Sequence, residues 1–219
     1  MPTFAAILPA AGRSTRYEGA RNKLFETLEG RSVLQRSVDA FVARADVALI
    51  VIPTRGPLNL HGERIQICQG GTSRAESVLC ALREIPNEIE WVAIHDGARP
   101  LVSRGLIDRT LAAAIEHGAA VPALPVHLTI KQATGPLPAR VERTIPRQSL
   151  WAMQTPQIMR RAALLEAFAK CPLPLEQVTD DVQLIELAGG QVWLVEGEER
   201  NLKITTAADL KIAGMYLEA

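Results

Sequence analysis

Phe4-Ala5-Ala6-Ile7-Leu8 runs straight into Pro9-Ala10-Ala11-Gly12-Arg13-Ser14-Thr15-Arg16, and Lys23 follows in Asn22-Lys23-Leu24. A compact apolar run of strand length reads as a buried parallel strand, because helices cover both of its faces. Four more runs repeat the pattern: Val47 to Ile52, Ile65 to Cys68, Trp91 to His95 and Ala119 to Leu124. Amphipathic segments separate them. Leu34, Val38, Phe41 and Val42 share one helical face, while Ala75, Val78, Leu79, Leu82 and Ile85 follow i, i+3, i+4, i+7 spacing. Ile107, Leu111, Ala114 and Ile115 do the same, and Gly118 is placed to end that helix. Strand–helix alternation at this spacing predicts a mostly parallel, Rossmann-like α/β sheet flanked by helices, with right-handed crossovers.

The rhythm breaks between His127 and Arg147. Leu128-Thr129-Ile130-Lys131 and Arg140-Val141-Glu142-Arg143-Thr144-Ile145 alternate apolar and polar residues around a turn cluster, Thr134-Gly135-Pro136-Leu137-Pro138. This reads as a β-hairpin arm projecting from the sheet, with an irregular loop as the plainer alternative. Helices follow at Arg161 to Lys170 and Asp180 to Ala188, the second with Thr179 as N-cap and Gly189 at its C-terminal end. A strand from Val192 to Val195 and a helix from about Ala207 complete the reading. No stretch is rich enough in Gly, Ser or Pro to separate domains, so residues 1–219 are expected to form one domain with an arm at about 127–147.

Composition narrows the function. Lys plus Arg and Asp plus Glu both number 24, so the basic excess of a nucleic-acid or anionic-membrane binder is missing. Cys68, Cys80 and Cys171 lack metal-ligand spacing and read as free thiols in a reducing compartment. The chain starts without a basic leader, and no run approaches the roughly 20 apolar residues of a membrane span. A cytoplasmic protein with no nucleic-acid or membrane partner is the expectation.

Three loops carry chemistry. Small residues Ala10, Ala11 and Gly12 at the end of the first strand let backbone N–H groups approach a ligand, and Arg16 and Lys23 add positive charge. Open α/β sheets bind ligands at that edge. The Gly-Lys-Ser/Thr ending of a P-loop and the later glycines of a dinucleotide fingerprint are missing. Gly70-Gly71-Thr72-Ser73-Arg74-Ala75-Glu76-Ser77 opens a helix, whose free N–H groups attract anions; a plain turn capped by Ser73 explains it as well. His95-Asp96-Gly97-Ala98-Arg99-Pro100 ends a strand. Asp96 there suits a metal or hydroxyl, His95 reads as a satisfied histidine, and Arg99 as a partner of Asp96 or of a ligand.

Taken with Thr144-Ile145-Pro146-Arg147, Leu150-Trp151, Gln154-Thr155-Pro156-Gln157 and Asn201-Leu202-Lys203-Ile204-Thr205, these loops resemble the 2-C-methyl-D-erythritol 4-phosphate cytidylyltransferase family of non-mevalonate isoprenoid synthesis. The resemblance spans nearly the whole chain, in order. It implies CTP over Ala10, Ala11 and Gly12, with Gly70, Gly71 and Ser77 reading the cytosine. It also implies that Arg16 and Lys23 stabilise charge on the triphosphate, that Lys203 orients the α-phosphate, and that Asp96, Arg99 and Thr179 face the polyol. Thr129 and Arg147 would hold the acceptor's phosphate from the opposite subunit of an arm-exchanged homodimer. Mg²⁺, bridging triphosphate oxygens, is the implied cofactor, with no metal ligand on the protein. The family usually carries Asp where this chain has Leu128, and often an acidic residue where it has Thr72. A ribitol 5-phosphate cytidylyltransferase and a catalytically silent nucleotide-binding protein of the same fold are the rival readings. Four separated cations, Arg16, Lys23, Arg147 and Lys203, argue against the silent one.

Overall fold

A computed structural model describes residues 2–12 and 22–218, so Arg16 lies outside the described residues. The first half runs through β1 (Phe4–Ile7), β2 (Thr27–Leu28), β3 (Arg31–Ser32), α1 (Val33–Val42), β4 (Val47–Thr54), β5 (Ile65–Gln69), α2 (Arg74–Arg83) and β6 (Trp91–Ile94). Then come α3 (Arg104–His117), β7 (Ala119–Pro125), β8 (Ile130–Ala133), β9 (Val141–Ile145), β10 (Trp151–Met153) and β11 (Gln157–Arg160). The chain finishes with α4 (Arg161–Lys170), α5 (Asp181–Leu187), β12 (Trp193–Glu196) and α6 (Ala207–Glu218).

Eight of these strands form one sheet in the spatial order β12-β7-β10/β11-β6-β1-β4-β5. β4 and β6 flank β1 in parallel, β5 continues beside β4, and β12 runs parallel to β7. β10 and β11 are the exceptions. Both are antiparallel, and together they fill the gap between β7 and β6 as one strand interrupted at residues 154–156. The sequence reading missed them because they are three and four residues long, too short to show a period. It also took Ile65 to Cys68 as buried, whereas β5 is the sheet's edge and is half-exposed.

Alternation along β1 explains the two-sided core. Phe4 and Ala6 pack with Leu34, Val38 and Phe41 of α1 and Leu106, Ile107 and Leu111 of α3. Ala5 and Ile7 point the other way, onto Val78 and Leu82 of α2, Leu164 of α4 and Val182 of α5. Two residues assigned to helical core faces, Val42 and Ile115, are instead exposed near the ends of α1 and α3. Gly118 closes α3 at φ +94, where a side chain is disfavoured. Asp180 rather than Thr179 caps α5: its carboxylate accepts from the Gln183 N–H, leaving the Thr179 hydroxyl to donate to the Gln183 side chain.

The arm forms as a hairpin, with Ile130 opposite Ile145 and Lys131 opposite Thr144. Its strands start two and one residues later than the alternation suggested. Leu128, Leu137 and Val141 all stand exposed on it.

Candidate active site

From β1 the chain moves to β4 and β5 on one side and only later to β6 on the other. The loops after β1 and β6 therefore diverge, and such a switch point leaves a crevice at the carboxyl edge of the strands. A cavity of about 650 Å³ lies there, bounded by Ala11 and Gly12, by Gly71 to Arg74, by Asp96 and by Lys203.

Backbone bonds fix the first two walls. The Ala10 N–H donates to Pro53 O at 2.9 Å and the Gly70 N–H to Thr54 O at 2.8 Å, so both loops hang from the end of β4. They touch so closely that a Cβ on Gly70 would stand 2.6 Å from that of Ala11, which leaves room only for glycine. The Ser77 hydroxyl accepts from the Gly71 N–H at 3.1 Å and donates to Ser73 O at 2.8 Å, bracing the loop from below. Arg55 braces it from above, its Nε donating to Gly71 O at 2.8 Å. Thr72 borrows a carboxylate from the next turn: its N–H and hydroxyl both donate to Glu76 Oε2. The hydroxyl's bond, then the amide's, hold the Glu76 pKa down. Ser73 caps α2 as the plainer reading had it, while the segment also lines the cavity.

Asp96 is the electrostatic centre. Its side chain is 11% exposed, with Lys203 Nζ at 2.9 Å, Arg74 Nε at 3.4 Å and Arg99 Nε at 3.5 Å. Burial alone would raise its pKa, but Arg74, Lys203 and Arg99 hold it far below the usual carboxylate range, so it stays ionised. Lys203 is aimed by its neighbour: Ile204 is fully buried and its N–H donates to Ala98 O at 2.8 Å.

Behind Asp96 lies a buried polar web. His95 Nε2 sits 3.0 Å from the Arg99 carbonyl, which can only accept, so Nε2 carries the proton. The Thr155 hydroxyl then donates to Nδ1 at 3.0 Å and accepts from the Asp96 N–H at 3.0 Å. Burial depresses the His95 pKa to about 4, leaving the ring neutral. Arg99 donates to Asn201 O at 2.7 Å, Asn201 Nδ2 donates to Thr155 O at 2.8 Å, and Gln154 Nε2 donates to Glu198 O at 2.8 Å. These residues tie the loops carrying Asp96 and Lys203 to the break between β10 and β11.

The structure thus brings Ala11, Gly12, Lys23, Gly71, Ser77, Asp96 and Lys203 onto one cavity, with Ala10 and Gly70 directly behind it. Arg99 is nearly buried and acts beneath Asp96. Thr179 stands exposed before α5. Thr129 and Arg147 lie on or beside the arm, exposed and off the cavity wall, with Arg147 Nη1 donating to His127 O. Sequence reasoning gave Arg74 no role. A cation in the first turn of a helix opposes the helix dipole and is the signal that could have marked it.

A switch-point crevice walled by small-residue loops and lined with cations defines a nucleotide-handling α/β protein of the nucleotidyltransferase class. The chain belongs to the family described as IspD: 2-C-methyl-D-erythritol 4-phosphate cytidylyltransferase, which it matches over residues 4–219. A Gloeobacter violaceus protein of that name is 41% identical, the match covering 97% of this chain and 95% of the relative. A Rhodospirillum rubrum protein named bifunctional enzyme IspD/IspF is 40% identical over 97% of this chain and 56% of its own length. The chain thus spans little more than half of such bifunctional relatives. The crystal structure of the 2-C-methyl-D-erythritol 4-phosphate cytidylyltransferase from Thermus thermophilus superposes with a TM-score of 0.83 at 35% identity, covering 100% of both chains.

Proposed function

We propose that this chain transfers a cytidylyl group from CTP to 2-C-methyl-D-erythritol 4-phosphate, giving 4-diphosphocytidyl-2-C-methyl-D-erythritol and pyrophosphate. The observation that carries the reading is the charge of the cleft: Lys23, Arg55, Arg74 and Lys203 line it, and Asp96, held by Arg74 and Lys203, is the one carboxylate that does so among the described residues. That excess of cations suits a triphosphate meeting a second phosphate.

An acceptor phosphate oxygen forms a bond to the α-phosphorus while the bond from that phosphorus to the β-bridging oxygen breaks. The nucleophile is already anionic, so the step calls for alignment and charge neutralisation rather than a base, and buried, neutral His95 serves as scaffold. Ala10 to Gly12 take the triphosphate with Arg16 and Lys23, Gly70, Gly71 and Ser77 take the base, and Lys203 reaches the α-phosphate. Asp96 and Thr179 meet the polyol hydroxyls, and Arg99 serves them by steadying Asp96. Magnesium would take the triphosphate oxygens as its ligands. The Asp96 oxygens already face three cations, and no cluster of three metal-binding side chains exists among the described residues. When bound it would neutralise phosphate charge.

Thr129 and Arg147 complete the reading as the acceptor-phosphate contacts, delivered to a second subunit by the arm of a homodimer. Support comes from their exposure away from the cavity of their own chain and from the bare Leu128, Leu137 and Val141 on the arm. No described helix is long and apolar enough to cross a membrane.

The decisive assay measures pyrophosphate release from CTP with 2-C-methyl-D-erythritol 4-phosphate, with ribitol 5-phosphate in parallel. Release with the first and little with the second is expected; the reverse would overturn the choice of acceptor, and silence with both would overturn catalysis.

A further inference from the structure

Asp181 is fully buried at the first position of α5, 2.7 Å through its Oδ2 from Arg74 Nη1. Neither of its oxygens makes a hydrogen bond of good geometry among the described residues, so Oδ2 meets Arg74 as an ion pair only. Leaving a carboxylate oxygen buried and unpaired is costly, and a buried ion pair is a poor device for stability alone. An acid suits the positive end of α5, but the helix's N–H groups are already met by the Asp180 side chain and Gln157: Gln157 Oε1 accepts from the N–H groups of Asp181 and Val182 at 2.9 and 3.1 Å. Burial holds the Asp181 carboxyl above its ordinary value even though Arg74 pulls it down.

Arg74 is the other half of the anomaly. It stands in the first turn of α2, at the end where a helix disfavours cations, and reaches both Asp181 and Asp96. Burial opposes its charge, but Asp181 and then Asp96 outweigh that and raise its pKa. The result is one continuous chain, Lys203–Asp96–Arg74–Asp181. It links the loop after β6 to the start of α5, immediately beyond Thr179.

Resting on the acceptor assignment above, we propose that Arg74 and Asp181 are positioning residues for the acceptor. Asp181 draws the Arg74 guanidinium to one side, so that Arg74 steadies the Asp96 carboxylate without covering it and keeps the Thr179 segment in register with it. Without Asp181 the guanidinium closes fully onto Asp96 and competes with the polyol hydroxyls. The nucleotide wall does not depend on this pair, because Thr54, Arg55, Glu76 and Ser77 brace Gly70 to Thr72 independently.

The test compares Asp181→Asn, Asp181→Glu and Arg74→Lys in steady-state pyrophosphate release, with KM determined separately for CTP and for the polyol phosphate. Asp181→Asn removes the counter-charge at constant size. Arg74→Lys keeps the charge but replaces the separate Nε and Nη1 donors aimed at Asp96 and Asp181 with a single ammonium on a flexible stem. Both should raise the acceptor KM about tenfold and leave the CTP KM within about twofold, as expected for members of one coupled network. Asp181→Glu, which restores the carboxylate, should return the acceptor KM most of the way. An unchanged acceptor KM, or equal rises in both constants, in a variant that melts as a folded protein overturns the proposal. If Asp181→Asn does not fold, Arg74→Lys decides by the same split. A wild-type chain that releases no pyrophosphate with any polyol phosphate overturns the acceptor assignment itself, and this proposal with it.

Discussion

Among the described residues, the buried polar side chains at the carboxyl edge of the sheet are held from several directions, whereas those on the arm have single partners. Asp96 faces three cations and takes its backbone bond from Thr155, which also holds His95. On the arm, Lys131 reaches only Thr144, Arg143 only Gln132, and both pairs sit in water. Exposed pairs of this kind contribute at most about 1 kcal/mol. The contrast separates two ways of placing a functional group. The cleft is preorganised by its own chain, whereas the arm carries Thr129 and Arg147 exposed, with little support from the rest of the chain.

The sharpest break of the comparison is Lys23→Ala. Removing this charge donor from the cleft wall should lower the rate of pyrophosphate release about 100-fold to 1000-fold while the circular dichroism spectrum stays unchanged. A near-normal rate in the folded variant would remove Lys23 from the reaction. Arg147→Ala should also give a nearly dead enzyme, but for a different reason, and subunit mixing tells the two apart. When Lys23→Ala and Arg147→Ala chains are unfolded and refolded together, about half the dimers are mixed. If arms cross the two-fold axis, each mixed dimer has one intact site, so roughly a quarter of wild-type activity returns. No recovery, with mixed dimers demonstrated, would place Arg147 on its own chain.

A smaller effect concerns the web beneath Asp96. The folded protein keeps His95 neutral down to about pH 4, whereas the unfolded chain takes up its proton near the model-peptide value of about 6.5. The unfolded state therefore binds more protons between these values, so this contribution to stability is present above about pH 6.5 and lost on acidification toward pH 4. The loss should amount to about 3 kcal/mol, measured by urea unfolding at about pH 7 and about pH 4.5. His95→Gln should flatten that interval, and an unchanged slope would show that another group carries it. Smallest of all, Leu137→Ser at the arm's tip should shift the folding stability of the single chain by less than about 0.5 kcal/mol, since the side chain is 88% exposed. A larger loss would show that the arm is part of the folded core.

The sequence made the parallel strands, their helices and the three cleft loops legible, because local period and loop chemistry mark them. β10 and β11 escaped because their identity as strands comes from pairing with β6 and β7, not from their own few residues. Arg74 and Asp181 escaped for a related reason. They lie far apart in sequence, and only the fold brings the first turns of α2 and α5 within reach of one ion pair. The placement of Arg99 was half legible: its pairing with Asp96 is local, but its bond to the Asn201 carbonyl spans 102 residues. Gln154, Thr155 and Gln157 were visible as a motif, while their work as brackets was not.

The insertion of β10 and β11 between β6 and β7 also sets an order of assembly. Neither neighbour can pair with the other directly, so the sheet stays in two pieces until residues 151–160 are available. During synthesis β1, β4, β5 and β6 can pair early, whereas β7 waits with both edges bare while the arm is still being made, since β12 comes later still. The last strand to enter the middle brings Thr155 with it, so the backbone bond that seats Asp96 forms in the same event that joins the two halves, ahead of the contacts from Asn201 and Lys203. A nascent chain stalled before that point would hold a half-sheet with an open apolar seam and no assembled cleft, the form in which this protein is most exposed to chaperones and to aggregation.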